Sequence, residues 1–164
     1  DIDKLQDILI DCKCVIHLAA SKAAGESMEN PLKYSHNNII NTINLIDICV
    51  KNKIEKFIFS SSAAVYGYPE YLPLDESHPL RPINYYGFTK VLIEKQLIWY
   101  QELTDLKISC LRYFNAAGYD INKRIFGKET NPANLNHKYL ASPPSNINLL
   151  TAVFLLRILS PKNF

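Results

Sequence analysis

Lys56-Phe-Ile-Phe-Ser60, with Ser61-Ser62 directly after it, is the stretch that decides the fold, because an apolar run here ends in consecutive serines. Short apolar runs of this kind are typical of buried strands in parallel sheets. Two more occur, at Cys14-Val-Ile-His-Leu-Ala19 and at Lys107-Ile-Ser-Cys-Leu-Arg-Tyr113. The segments between the runs, from Asn37 to Val50 and from Tyr86 to Glu102, have helical spacing. Strands that alternate with helices predict a doubly wound α/β fold with a parallel sheet.

Small and polar residues follow each predicted strand. They are Ala20-Ser21-Lys22 after the first strand, Ser61-Ser62 after the second, and Phe114-Asn115 after the third. In doubly wound sheets, ligands bind at the carboxyl ends of the strands. We therefore expect these three short segments to form the rim of a ligand site.

The composition is that of a globular chain. Its 164 residues are 48% hydrophobic and 21% charged, which is enough to bury a core and fits one domain of ordinary size. Eighteen basic minus 16 acidic residues leave a net charge of +2, so we expect no nucleic-acid partner. The longest apolar candidate, from Leu149 to Leu159, is too short to cross a bilayer and contains Arg157, so we expect no membrane span.

The four cysteines, Cys12, Cys14, Cys49 and Cys110, are too few and too scattered for a disulfide scaffold. Cys12 and Cys14 have no second pair that would complete a zinc site, so we expect no metal. We interpret the cysteines as buried free thiols in a reducing compartment, which places the protein in the cytoplasm.

Tyr86 and Lys90 are four residues apart on a predicted helix, so their side chains lie on the same face. Lowering a tyrosine pKa from about 10 to about 7 takes about 4 kcal/mol, and a nearby cation supplies part of it. Ser62, at a strand end, could bridge a substrate hydroxyl and such a base. Spacing alone also allows an exposed helix face, and it recurs at Tyr119 and Lys123, where the helix propensity is poor.

A strand-end serine followed by a Tyr-x-x-x-Lys helix resembles the short-chain dehydrogenase/reductase superfamily. Within it, several segments look like the UDP-galactose/UDP-glucose 4-epimerases and run in family order. They are His17-Leu-Ala-Ala-Ser-Lys-Ala-Ala-Gly-Glu-Ser27, Pro31-Leu-Lys-Tyr34 with Asn37-Asn38, Phe57-Ile-Phe-Ser-Ser-Ser-Ala-Ala-Val-Tyr-Gly67, Tyr86-Gly-Phe-Thr-Lys90, Leu111-Arg-Tyr-Phe-Asn-Ala-Ala-Gly118 and Asn131-Pro-Ala-Asn-Leu135.

The resemblance implies an NAD cofactor and the interconversion of UDP-galactose and UDP-glucose through oxidation and re-reduction at sugar C4. By family role, Tyr86 exchanges the proton of the C4 hydroxyl, Ser62 bridges that hydroxyl and the tyrosine, and Lys90 holds the nicotinamide ribose and lowers the tyrosine pKa. It also implies a homodimer that pairs through helices from Asn37 to Val50 and from Tyr86 to Leu103. Further implied NAD contacts are Leu18, Ala19, Ala20, Ser21, Lys22, Asn37 and Phe114, and the implied sugar-nucleotide contacts are Asn115 and Asn134.

The sequence departs from the family pattern at three single positions. Ala64 stands where many members have threonine, Tyr85 replaces a common proline, and His36 precedes Asn37 where an acidic residue is frequent. We expect the alanine to weaken substrate contact without removing the chemistry.

Two larger departures concern whole segments. No glycine-rich phosphate-binding pattern lies in the 164 residues, so we expect a partial Rossmann-type sheet with only its later strands and helices. We assign residues 1–120 to this partial NAD-binding domain and 121–164 to a degenerate or truncated start of a substrate domain. After Leu135 the resemblance to the family ends abruptly, as a frameshift would produce. We therefore expect the chain by itself to have little or no epimerase activity.

Two other interpretations remain open. One is a sister nucleotide-sugar enzyme, either another UDP-sugar 4-epimerase or a 4,6-dehydratase, although the acid/base pair of a dehydratase is missing from Ser62-Ala-Ala64. The other is an inactive truncated relic that folds poorly and exposes sheet edges.

Overall fold

The computed structural model describes residues 2–114 and 154–158, and it confirms the alternation of helices and strands. Its helices are α1 Ile2–Leu9, α2 Ala24–Glu29, α3 Pro31–Tyr34, a π-helix Ser35–Ile40, α4 Asn41–Lys51, a 3-10 helix Ala63–Val65 and α5 Tyr85–Leu103. Its strands are β1 Cys14–His17, β2 Lys56–Ser62, β3 Lys107–Tyr113 and β4 Phe154–Ile158.

The strands form one open sheet in the order β1-β2-β3-β4. β1 runs parallel to β2, with Cys14 opposite Lys56 and His17 opposite Phe59. Three parallel strands with helices between them confirm the predicted fold class, a partial doubly wound Rossmann-type sheet. β4 was not predicted, because the apolar stretch that contains it had no place in the alternation.

The hydrophobic core lies where α4 and α5 cover β2 and β3. Alternate residues of β2 and β3 are buried, as expected for strands whose side chains point to opposite faces by turns. The helices contribute residues at helical spacing. The core includes Ile46, Cys49, Phe57, Phe59, Ile93, Leu97, Ile108 and Cys110.

β1 is less buried than its apolar sequence predicted. Ile16 is 59% exposed and Cys14 is exposed as well. Within the described sheet β1 pairs with β2 alone and lies at the edge, which is why its side chains meet solvent. The strand also ends at His17, so Leu18 and Ala19 belong to the loop that follows it.

The cysteine prediction is confirmed only in part. None of the four cysteines, all of which lie in the described part of the chain, forms a disulfide; Cys49 and Cys110 are buried, but Cys12 is half-buried. Cys14 contradicts the expectation because it opens the exposed edge strand.

The predicted helix from Asn37 to Val50 has two parts. Its first turns belong to the π-helix, whose wider winding is shown by the Asn41 amide donating to the His36 carbonyl five residues earlier. α4 then continues to Lys51. Periodicity of apolar residues does not reveal such a local widening, because the inward-facing face continues through it.

The start of α5 approaches the end of β2 closely. Asn84 caps the helix by accepting a hydrogen bond from the Gly87 amide at 2.8 Å. A Cβ atom on Gly87 would lie 2.5 Å from the Ala64 carbonyl oxygen. The glycine therefore allows the helix to reach the segment that carries Ser62.

The chain divides into two compact units, Asp1–Arg112 with Leu155–Phe164, and Tyr113–Phe154. The second unit lies mostly outside the described residues, so the predicted boundary at residue 120 stays a prediction. No helix in the described part of the chain is long and apolar enough to cross a bilayer.

Candidate active site

The end of β2 and the first turns of α5 bring the three predicted catalytic residues together. The Ser62 hydroxyl lies close to the Tyr86 phenol and lowers its pKa. Ser62 is the last residue of β2, so the strand extends two residues beyond the predicted Lys56–Ser60 and carries the serines itself. The Tyr86 amide donates to the Ser27 hydroxyl at 3.0 Å, which fixes the helix start against α2.

Lys90 lies one helical turn after Tyr86 and is buried, with 3% of its surface exposed. Its Nζ donates to the Ser60 carbonyl at 2.7 Å and lies 4.8 Å from the centroid of the Phe59 ring. Burial lowers the pKa of Lys90 to about 8, against the opposing effect of the Glu94 carboxylate. The side chain is therefore a cation close to its titration point, held at the carboxyl end of β2.

The electrostatics around Tyr86 differ from the expected arrangement. Burial raises the pKa of Tyr86, while the hydrogen bond from Ser62 and the charge of Lys22 act in the opposite direction. Lys90 Nζ is 5.8 Å from the centroid of the Tyr86 ring. In this structure Lys22 is therefore the cation that favours the phenolate.

His17 closes the site on the side of β1. Its ring stacks on Phe59 with centroids 6.1 Å apart, and Nε2 is 2.9 Å from the Thr42 hydroxyl. Burial first, and then the charge of Lys90, lowers the pKa of His17 to about 4. The imidazole is therefore neutral at pH 7.

The loop after β1 is held by the two asparagines of the π-helix. Asn38 accepts from the Ser21 amide at 2.9 Å and donates to the Ser21 carbonyl at 2.9 Å and to the Thr89 hydroxyl at 3.3 Å. Asn37 donates to the Ser21 hydroxyl at 3.1 Å. This arrangement joins the predicted cofactor loop to the helix that carries Tyr86 and Lys90.

The remaining predicted contacts fall into two groups. Leu18, Ala19, Ala20 and Lys22 are exposed around the loop, and Phe114 directly follows β3 and is half-buried. Asn115 and Asn134 lie outside the described residues.

Sequence reasoning missed the buried polar residues behind the site. Asn38, Thr89, Glu94 and Arg112 all lie inside the fold. One signal could have found the last two: Arg112 is a charge within an apolar strand pattern, and Glu94 is on the helix face of Lys90, four residues later. A buried charge of this kind needs a partner of opposite sign.

The fold and the site define an α/β protein of the dinucleotide-binding type, with a tyrosine–lysine pair on a helix beside the carboxyl end of a strand. A model of the NAD dependent epimerase/dehydratase family matches residues 1–145, and the chain belongs to this family. The family that the motifs resembled is thereby confirmed.

Individual relatives are more specific. The chain is 48% identical over 118 residues to the UDP-glucose 4-epimerase of Halalkalibacterium halodurans, which is 72% of this chain and 35% of that protein. It is 46% identical over 105 residues to a Pisum sativum bifunctional UDP-glucose 4-epimerase and UDP-xylose 4-epimerase 1, covering 63% of this chain and 30% of that protein.

Solved structures give the same result. The crystal structure of UDP-glucose 4-epimerase from Brucella ovis in complex with NAD superposes with a TM-score of 0.74 at 42% identity, covering 76% of this chain and 39% of that one. The chain thus spans about a third of the length of the relatives it matches.

Proposed function

We propose that this chain carries the catalytic side of an NAD-dependent UDP-glucose 4-epimerase, which interconverts UDP-galactose and UDP-glucose. The observation that carries the proposal is the Ser62 hydroxyl beside the Tyr86 phenol, with the buried Lys90 one turn away. The relatives named as UDP-glucose 4-epimerases support the same reaction.

The residues present fit the nicotinamide side of NAD. Lys90 is a buried ammonium that can donate to ribose hydroxyls, and the loop at Ser21 is held rigidly by Asn38. Bound NAD would supply the hydride acceptor and donor for oxidation and re-reduction at sugar C4. We assign Leu18, Ala19, Ala20, Ser21, Lys22, Asn37 and Phe114 to its contacts.

Proton transfer falls to the chain's own side chains. Tyr86 takes the proton of the C4 hydroxyl as C4 is oxidised and returns it on reduction, and Ser62 relays between the two oxygens. To act as a base at neutral pH, Tyr86 needs a pKa near 7, and burial raises its pKa instead. The charge of Lys22 favours the phenolate, and the positive charge of an oxidised nicotinamide ring would favour it further. Asn115 and Asn134 are proposed to contact the sugar nucleotide.

A chimera tests this assignment. The 118 aligned residues of this chain replace their counterpart in the H. halodurans protein, and UDP-galactose conversion is followed with a UDP-glucose-specific coupled assay. We expect turnover in the chimera and little or none in the chain alone. Tyr86→Phe is expected to lower kcat by at least about 100-fold.

Tyr85→Phe is the matched control, because the neighbouring phenol contacts Ser35 at 2.7 Å and has no proposed role in proton transfer. Equal losses in both variants, or a folded chimera without turnover, would show that the site does not perform this chemistry. Robust turnover by the isolated chain would overturn the expectation that it is insufficient by itself.

Sister UDP-sugar epimerases form the second candidate, favoured by the similarity to the bifunctional Pisum sativum protein. The same chimera tested with UDP-xylose separates the two activities. The inactive relic is tested on the chain itself, since a relic that folds poorly would lack a cooperative thermal transition.

We further propose that two copies of the chain form a homodimer through the predicted helices. We also propose that the protein is located in the cytoplasm. Phe88, Trp99 and Leu103 lie at helical spacing on one face of α5 and are exposed, Trp99 by 62%. A second copy that places the same face against them would bury this stripe. Sedimentation velocity tests this, with Trp99→Lys expected to shift a dimer to monomer and Lys95→Ala as the control that changes charge without removing apolar area.

A further inference from the structure

A buried carboxylate lies one helical turn beyond Lys90. Glu94 accepts a hydrogen bond from the Ser61 hydroxyl at 2.5 Å through Oε1, and the same oxygen accepts from Arg112 Nε at 3.1 Å. Its other oxygen accepts from Arg112 Nη2 at 2.7 Å. Glu94 therefore joins α5 to both β2 and β3 by charged or charge-assisted contacts.

Ser61 is the residue between the two that serve the site. The Ser60 carbonyl accepts the hydrogen bond from Lys90 Nζ, and the Ser62 side chain contacts Tyr86. Since Ser61 points to the opposite face of the strand from Ser60 and Ser62, its bond to Glu94 holds the backbone from behind. A shift of α5 along β2 would break this bond and the Lys90–Ser60 bond together.

We propose that Glu94 is a positioning residue, which acts through Ser61 and Arg112 to hold Lys90 in place and charged at the end of β2. The proposal rests on the function of Lys90 given above and extends it to a residue outside the reacting groups.

The titratable and charged groups around Lys90 come from three elements. His17 on β1 is neutral at pH 7 because burial lowers its pKa to about 4. On α5, Tyr86 lies one turn before Lys90 and Glu94 one turn after it, and Arg112 on β3 pairs with Glu94. The Glu94 carboxylate opposes the effect of burial and favours the protonated ammonium.

The test observes Lys90 directly in the full chain. Lysine side chains labelled with 13C at Cε are titrated by NMR, and Lys90→Arg identifies the resonance. We expect Glu94→Gln, which keeps an oxygen for Ser61 but removes the charge, to move the Lys90 midpoint to lower pH by at least about one unit, a tenfold loss of proton affinity. Glu102→Gln removes a charge from an exposed position of the same helix and is expected to leave the midpoint unchanged.

A second pair of variants keeps the test valid if a lone Arg112 charge prevents folding. The double variant Glu94→Gln with Arg112→Met removes both charges, and a smaller downward shift is expected because losing the Arg112 cation favours the Lys90 ammonium. Ser61→Ala leaves the ion pair and removes only the strand contact, so we expect the Lys90 ammonium protons to exchange about tenfold faster with water. An unchanged midpoint in folded Glu94→Gln, or unchanged exchange in Ser61→Ala, would overturn the proposal.

These readouts need neither substrate nor turnover. A chimera without epimerase activity would therefore reject the proposed function and leave the titration result standing. An active chimera with an unshifted Lys90 midpoint would reject only the role of Glu94.

Discussion

Arg112 and Lys90 are two buried cations in the same protein, and their surroundings shift their pKa values in opposite directions. Arg112 has 0% of its surface exposed and forms a two-point ion pair with Glu94, and it also donates to the Tyr66 hydroxyl at 3.0 Å. These partners raise its pKa in spite of burial. Lys90 meets a main-chain carbonyl and an aromatic face, and its pKa falls to about 8.

The difference separates a structural charge from a chemically available one. A guanidinium fits a carboxylate at two points and stays protonated, so Arg112 ties the strand to the helix. An ammonium without a directly bonded carboxylate is poorly compensated, and it gains from any ligand that offers hydroxyl oxygens. That is the property expected of the residue that would hold a ribose.

The largest expected effect comes from removing the structural cation. Arg112→Met leaves Glu94 charged and buried, and we expect the free energy of unfolding to fall by about 3–5 kcal/mol. Adding Glu94→Gln is expected to restore most of this loss, because the uncompensated charge is gone. Urea denaturation of the parent and both variants measures these free energies of unfolding. Equal values for the parent and Arg112→Met would show that the Arg112–Glu94 ion pair contributes little.

The second effect concerns the available cation. Between pH 8 and about 10.5 the folded chain has released the Lys90 proton while the unfolded chain still binds it, so stability rises with pH across this window. We expect the parent to gain about 3 kcal/mol relative to Lys90→Met over that range. Parallel denaturation curves at pH 7.5 and 10.5 test this, and Lys51→Met, on the exposed pair with Asp47, is the control.

A third prediction moves α5 relative to β2. The Cβ of Gly87→Ala would lie 2.5 Å from the Ala64 carbonyl, so we expect a loss of about 1–3 kcal/mol and a lower kcat in the chimera. Gly25→Ala is the matched control, because nothing lies within 4 Å of its added methyl group. Calorimetry of both variants measures the contrast, and equal melting temperatures would contradict the close approach.

The smallest effect belongs to His17. Its pKa is about 4 in the folded chain and near 6.5 when unfolded, so the unfolded state binds the extra proton first and stability falls as pH drops through this window. Allowing for partial exposure, we expect about 1–2 kcal/mol. His17→Gln is expected to flatten the acid side of the stability profile by this amount, whereas an unchanged slope would mean that His17 titrates normally.

The sequence predicted the elements that carry a regular pattern. β2 and β3 were located from apolar runs, and α5 was predicted within one residue at each end from its periodicity. The π-helix was not predicted, because its widened turns keep the same apolar face. β4 was not predicted, because an isolated apolar stretch does not indicate which strand it pairs with.

The candidate site was predicted to a similar extent. Ser62, Tyr86 and Lys90 could be named in advance because their spacing and their place at a strand end are local properties. The roles of Asn38 and Glu94 could not, since each depends on partners distant in the chain, such as Thr89 for the first and Arg112 for the second.

What the sequence by itself determined is therefore the class of fold, the family and the choice of candidate catalytic residues, because periodicity, strand ends and short motifs are all encoded by neighbouring residues. Only the tertiary structure decided the chemical state of those groups. Burial lowers the pKa of Lys90, neutralises His17 and raises the pKa of Tyr86. Burial and the partners that compensate it come from side chains that fold together across the chain, so no local pattern contains them.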